Sequence, residues 1–172
     1  MEEGGLEKKL KGYKKSVAIG QLAGLGATAA GVFNADKIAG YFGIEQLLNK
    51  SYNVFSYNIT PGLPILGAGL NFIGDQIGFA ASLYAYNKEN YKGVRGKLNF
   101  VRDFSNLSVR HLGSYLISYP LAIAASTAAI ATGLLSGTIA TLLPYALESL
   151  ITGVGYMFST RKYRERSAAQ TA

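Results

Sequence analysis

Three stretches of the chain run without a formal charge: Ser16 to Ala35, Ser51 to Gly74, and His111 to Leu147 when the histidine is neutral. A helix needs roughly 20 apolar residues to cross about 30 Å of hydrocarbon, so each stretch is long enough for one crossing and the last for nearly two. The last divides at "GLLSGTIATLLP", where Gly133 and Gly137 flank a short turn and Pro144 stands near the start of the next apolar run. Proline is tolerated in a first helical turn, where its missing N–H would lack a partner anyway. The pattern predicts four helices, over about 16–36, 62–86, 112–132 and 139–160. They form two hairpins, 16–86 with a long outer connection over 37–61, and 112–160; a basic connection over 87–111 joins them and a basic tail covers 161–172. The expected fold class is all-α, a single polytopic membrane domain with four transmembrane helices.

Helical spacing then sorts the faces. Asn71, Asp75, Gly78 and Ser82 recur at helical intervals, with Gly67, Gly74 and Ala85 close to the same stripe. Leu66, Leu70, Ile73, Ile77, Phe72 and Phe79 lie elsewhere around that helix. The polar stripe is expected to face protein or water and the aliphatic side lipid. The fourth helix repeats the arrangement with Thr141, Tyr145, Glu148, Thr152, Gly155 and Ser159. Gly20 with Gly24, and Gly74 with Gly78, have the small-xxx-small spacing that lets helix backbones approach closely.

Composition agrees with a membrane protein and gives it a direction. Only 16% of residues are charged, and the net charge is +7. Nearly all of the 17 lysines and arginines fall in the N-terminal segment, in 88–110 or in the tail, while Lys37 and Lys50 alone fall on the other side. Basic residues stay on the cytoplasmic side, so both termini are expected inside, with membrane lipids as the immediate partners. The basic, tyrosine-bearing run from Tyr91 to Arg102 also suits nucleic acid in composition, but tyrosine at the end of a spanning helix is ordinarily an interfacial anchor, and no nucleic-acid partner is expected. The first helix has a rival reading as a secretory signal ending at Ala27-Thr28-Ala29; its apolar run exceeds the about 7–15 residues of a signal core.

The two hairpins look related. Asp75 precedes Lys88 by the same distance as Glu148 precedes Arg161, and each hairpin opens with a basic cluster that gives way to small and aliphatic residues. Parallel duplication fits hairpins that each leave and return to the cytoplasm. An Asp at the centre of a spanning helix costs about 2.5–3.5 kcal/mol on insertion scales, whereas a Leu or Ile returns only about 0.3–0.6. Asp75 and Glu148 are therefore expected to be protonated, paired or open to a watery cavity, forming an intramembrane proton or cation site with Asn71, Gln76, Ser82 and Thr152. The plainer alternative is a neutral acid hydrogen-bonded to a neighbouring helix, helped by Asn71, Gln76 or Ser149.

Other chemistry finds little support. Without cysteine there are no disulfides or thiolate metal sites. "GLGATA" matches a dinucleotide fingerprint but lacks the preceding strand and βαβ unit. His111 stands beside Arg110 at a helix start, with no nucleophile or metal-ligand set spaced around it. No catalytic residue, metal or cofactor is expected. Sequons occur at Asn49, Asn58 and Asn106, the first two on the expected outer side.

The segments "SLYAYNKENY" and "GYMFSTRKYRER", each an aromatic and small stretch followed by basic and aromatic residues, and "FVRDFSNLSVRHLGSYLI", the basic-aromatic approach to the third helix, together resemble the GtrA-like family of small four-helix membrane proteins. That resemblance covers most of residues 10–166 as architecture. It implies movement of a polyprenyl-phosphate-linked sugar across the cell membrane for glycan assembly, with a glycosyltransferase as partner. Lys88, Tyr91, Arg110, Arg161, Lys162 and Tyr163 would then contact the lipid phosphate, although basic helix ends are usually topology determinants. The first hairpin departs from the family pattern in its long outer loop and in Tyr91, which lies beyond Lys88 without a basic pair beside it. The core acids suggest a second reading, a proton-coupled transporter of cationic or amphipathic solutes; a third is a membrane assembly protein. So thin a bundle is expected to enclose a path as a homodimer.

Overall fold

The computed structural model describes residue 10 and residues 12–54 and 56–150. The described part is mostly helical. Helix α1 (Tyr13–Phe33) is succeeded by two short helices, α2 (Ala35–Phe42) and α3 (Glu45–Leu48), then by strands β1 (Tyr52–Val54) and β2 (Tyr57–Ile59). Helices α4 (Gly62–Tyr86) and α5 (Gly93–Ala131) come next, and a sixth helix, α6, occupies 137–150 up to the end of the described residues.

The expected second helix coincides with α4, and α1 begins and ends three residues before the expected 16–36. Pro61 and Pro64 bracket the start of α4, where missing N–H groups cost least. Its far end closes on Asn87, whose backbone N–H reaches the Leu83 and Tyr84 carbonyls while its side-chain amide donates to Leu83 O at 3.0 Å. The turn expected around Gly133 is present. Gly133 takes φ +67, and the N–H groups of Gly133 and Leu134 donate back to Ile130 and Ala129, a left-handed helix stop suited to glycine.

Two connections differ from the expectation. The outer connection over 37–61 contains most of α2, then α3, and an antiparallel hairpin pairing Tyr52 with Ile59, Asn53 with Asn58 and Val54 with Tyr57. The third helix does not begin at 112; it begins at Gly93 and runs 39 residues unbroken, through Pro120. At 1.5 Å per residue that is about 58 Å, nearly twice the hydrocarbon thickness. The basic connection over 87–111 is thus a short turn followed by helix.

α1 and α4 pack antiparallel. The register runs from Ser82 Oγ, which donates to Ser16 O at 3.4 Å, through Gly78 on Gly20 and Gly74 on Gly24, to Thr28 Oγ1, which donates to Gly67 O at 3.2 Å. A Cβ on Gly74 would sit 2.7 Å from the Ala23 carbonyl oxygen, and one on Gly78 3.2 Å from Gly20 Cα, so the two glycine pairs meet face to face. α5 lines the other side of α4, with Phe104 on Phe79 and Tyr115 on Phe72 at ring-centroid distances of 6.0 and 5.6 Å. Phe79 is consequently buried, not lipid-facing as its place off the polar stripe suggests, because α4 is flanked by two helices. Ile65, Ile73 and Ile77 form its exposed aliphatic side.

The apolar core has two parts. Tyr13, Val17, Phe79, Leu83, Tyr91 and Leu107 gather at the C-terminal end of α4; Ala68, Ala122 and Tyr145 gather nearer its start. Asn71 and Asp75 fall between them along the helix. Among the described residues, α1 alone is both long and apolar enough to cross a membrane by length and composition, with Tyr115–Ala131 a shorter apolar stretch. Asn71, Asp75 and Gln76 lower the mean hydropathy of α4, so of the four expected crossings the first alone has a described helix of the required length and apolarity.

Candidate functional site

The polar stripe of α4 meets α1 and α5 at its middle. Asp75 is buried, and its carboxyl accepts hydrogen bonds from the Tyr115 hydroxyl of α5 and from Gln76 Nε2 at 3.3 Å. Gly20 of α1 leaves the space for it: a Cβ there would lie 2.5 Å from Asp75 Oδ1 and 2.8 Å from its backbone oxygen. One turn away, buried Asn71 accepts from the Tyr119 hydroxyl at 2.9 Å, while its Nδ2 has no partner among the described residues. Burying a polar side chain without a partner costs roughly 1–3 kcal/mol, so such a free donor marks either strain or a ligand's place.

α6 supplies the other acid. Glu148 is half-buried and accepts from Ser118 Oγ of α5 at 3.2 Å. Tyr145, on the same face, is fully buried, donates to the Pro64 carbonyl at 2.8 Å and meets Tyr119 edge-on at 5.9 Å. Tyr115 and Tyr119, 5.0 Å apart, lie within electrostatic reach of both acids. The cluster is therefore two carboxyls, one on each expected return helix, joined through a tyrosine layer on α5. Among the described residues no basic side chain pairs with Asp75, and no group of acids and histidines is spaced to hold a metal.

The other expected site residues are dispersed. Ser82 is buried but spends its hydroxyl on backbone oxygens, at 2.8 Å from Gly78 and 3.1 Å from Phe79. Thr152, Arg161, Lys162 and Tyr163 lie outside the described residues. Lys88 is exposed just past the end of α4. Tyr91 is buried, stacked on Tyr84 at 6.0 Å and edge-on to Phe100 at 5.2 Å. Its hydroxyl lies 3.5 Å from Asp103 Oδ2, the far end of hydrogen-bond range, and is not offered to a headgroup. Burial, and then the Asp103 carboxylate, push that hydroxyl up to about 12. The continuous α5 carries the Arg110 backbone between the levels of Phe104, on Phe79, and Tyr115, on Asp75, well inside the helix ends where a headgroup contact was expected.

Sequence reasoning missed Tyr115, Ser118 and Tyr119. Their signal was available in "GSYLISYP", two tyrosines one turn apart with a serine between them on an otherwise apolar helix. The helical spacing of polar residues was followed only on the second and fourth helices, which left this one aside.

What the fold and the cluster define is a helical protein with one carboxyl buried and a second half-buried beside a layer of tyrosines. Comparison with protein-family models, with curated proteins and with solved structures finds no match for this chain.

Proposed function

We propose that this chain is a multi-pass membrane transporter in which α1, α4, the apolar half of α5 and α6 cross the bilayer, and in which Asp75 exchanges a proton for a cationic or amphipathic solute. The observation that carries the reading is the place of Asp75: mid-helix, buried, and held by a tyrosine hydroxyl and an amide with no described cation beside it. A carboxyl so placed is expensive in hydrocarbon and is characteristic of proton and cation pathways. Glu148 supplies a second carboxyl on the same tyrosine layer. Trading one bound proton for one cation at a carboxyl leaves the net charge of the site unchanged.

The test is uptake of tetraphenylphosphonium or ethidium into liposomes under an imposed pH gradient. Asp75→Asn retains a carbonyl to accept from Tyr115, so thermal stability should stay within about 1 kcal/mol of wild type, the worth of one hydrogen bond. Uptake should fall to the level of empty liposomes. Asp75→Asn protein that folds and transports like wild type sinks the reading.

A second reading follows the GtrA-like resemblance, in which a polyprenyl-phosphate-linked sugar is moved. Exposed Lys88 at the end of α4 supports it; the burial of Tyr91 and the acidic cluster weigh against it. Under that reading Lys88→Gln weakens binding of a polyprenyl phosphate, whereas Asp75→Asn leaves binding unchanged.

A further inference from the structure

The first half of α5 has two faces. Gly96, Asp103 and Leu107 are buried, and Phe100 and Phe104 partly so, against the turn after α4 and its last turns. On the opposite side Val94, Leu98, Val101 and Val109 are exposed, between 58% and 79%, in one line at helical spacing. Arg95 and Arg102 flank that line on one edge and Lys97 on the other, all exposed. A solvated helix face has no reason to present four aliphatic side chains in register, and a fully buried one has none to carry three cations. An aliphatic stripe edged by lysine and arginine suits a helix side that passes through headgroup level, its aliphatic carbons toward acyl chains and its cations toward phosphate.

We propose that this face of α5 docks on anionic lipid headgroups of the inner leaflet. The proposal rests on the membrane reading above and adds a partner to it. Charge selects that partner: from Lys88 to Asp103 five basic residues stand against two acids, Lys92 pairing with Glu89 and Arg102 lying 3.5 Å from Asp103, which leaves the charges of Lys88, Arg95 and Lys97 in excess. Position agrees, since α5 starts shortly after α4 ends, where Tyr84 and Tyr86 sit half in the open as interfacial anchors do. On such a face the stems of Arg95 and Lys97 can cover the aliphatic stripe while their charges reach phosphate.

The chain contains no tryptophan, so one introduced indole reports alone. Full-length Leu98→Trp is placed in nanodiscs of mixed phosphatidylcholine and phosphatidylglycerol, with bromine carried by one lipid at a time. The expected result is blue-shifted emission and more quenching by brominated phosphatidylglycerol than its share of the bilayer accounts for. The excess should be lost when Arg95, Lys97 and Arg102 are changed to Gln, by about fivefold in lipid preference for each charge removed. Quenching in simple proportion to lipid content, or water-like emission without quenching, overturns the proposal; blue-shifted emission that no brominated lipid quenches does so too, by showing a protein partner instead. Ile73→Trp, on the exposed aliphatic side of α4, separates the two levels. If Ile73→Trp is quenched and Leu98→Trp is not, the docking surface fails alone; if neither is quenched, the membrane reading fails with it.

Discussion

At the scale of single residues, two hydroxyl–carboxyl pairs involving α5 do different work. Tyr115 reaches Asp75 across the helix interface, where the bond fixes the carboxyl's direction; Tyr91 approaches Asp103 inside the aromatic cluster beyond the end of α4. The second pair gives a measurable pH dependence. The Tyr91 hydroxyl is raised from 10.0 to about 12 by burial and then by Asp103, so the folded state holds its proton after the unfolded state has released it. Its contribution is complete below pH about 10 and is lost as pH rises through about 12. Wild type should therefore lose stability relative to Tyr91→Phe across that window, and tyrosinate absorbance should lack its transition near pH 12 in the variant. A stability difference between the two that does not change with pH would show Tyr91 titrating at its ordinary value.

At the scale of elements, the α1–α4 interface sets the position of Asp75, and its glycines were legible in the sequence. The Gly20/Gly24 and Gly74/Gly78 pairs stand out by spacing alone, and they do face each other, because only glycine lets the backbones come this close. Gly74→Ala would bring a methyl to 2.7 Å from both the Ala23 oxygen and the Ala27 Cβ, and should destabilise the protein by about 1–3 kcal/mol, the usual cost of overpacking. Gly26→Ala, with open space around it, should be neutral or stabilising by up to about 1 kcal/mol through helix propensity. Melting temperatures in detergent compare them directly, and equal effects would rule out the close approach. The polar stripe was legible by the same arithmetic. The first half of α5 was not, because Arg95, Lys97 and Arg102 look like a loop when counted by density, yet they flank a helix face when counted by angle. Tyr115 and Tyr119 stood one turn apart in the sequence, but which carboxyl and amide they serve depends on the packing of α5 on α4, which spacing within one helix does not give.

At the scale of the whole molecule, the antiparallel pairing of α4 with both neighbours makes topology the property on which the transport reading depends. α4 separates the outer hairpin and its exposed Lys50 from the exposed Lys97 at the start of α5, and α5 separates Lys97 from the exposed Leu134 at the turn before α6. A hydrophobic segment carrying Asp75 inserts only if its aliphatic residues and the α1 interface outweigh the acid, and α5 has just its second half to cross with. The chain has no cysteine, so single replacements report the side without background. With both termini inside, Lys50→Cys and Leu134→Cys should react with a membrane-impermeant maleimide on intact cells, and Lys97→Cys only after permeabilisation. Labelling of Lys97→Cys from outside would remove the crossing by α4 and with it the intramembrane place of Asp75. Protection of Leu134→Cys would remove the crossing by α5 and, because Tyr115 and Tyr119 bond to side chains at the middle of α4, the intramembrane place of Asp75 with it.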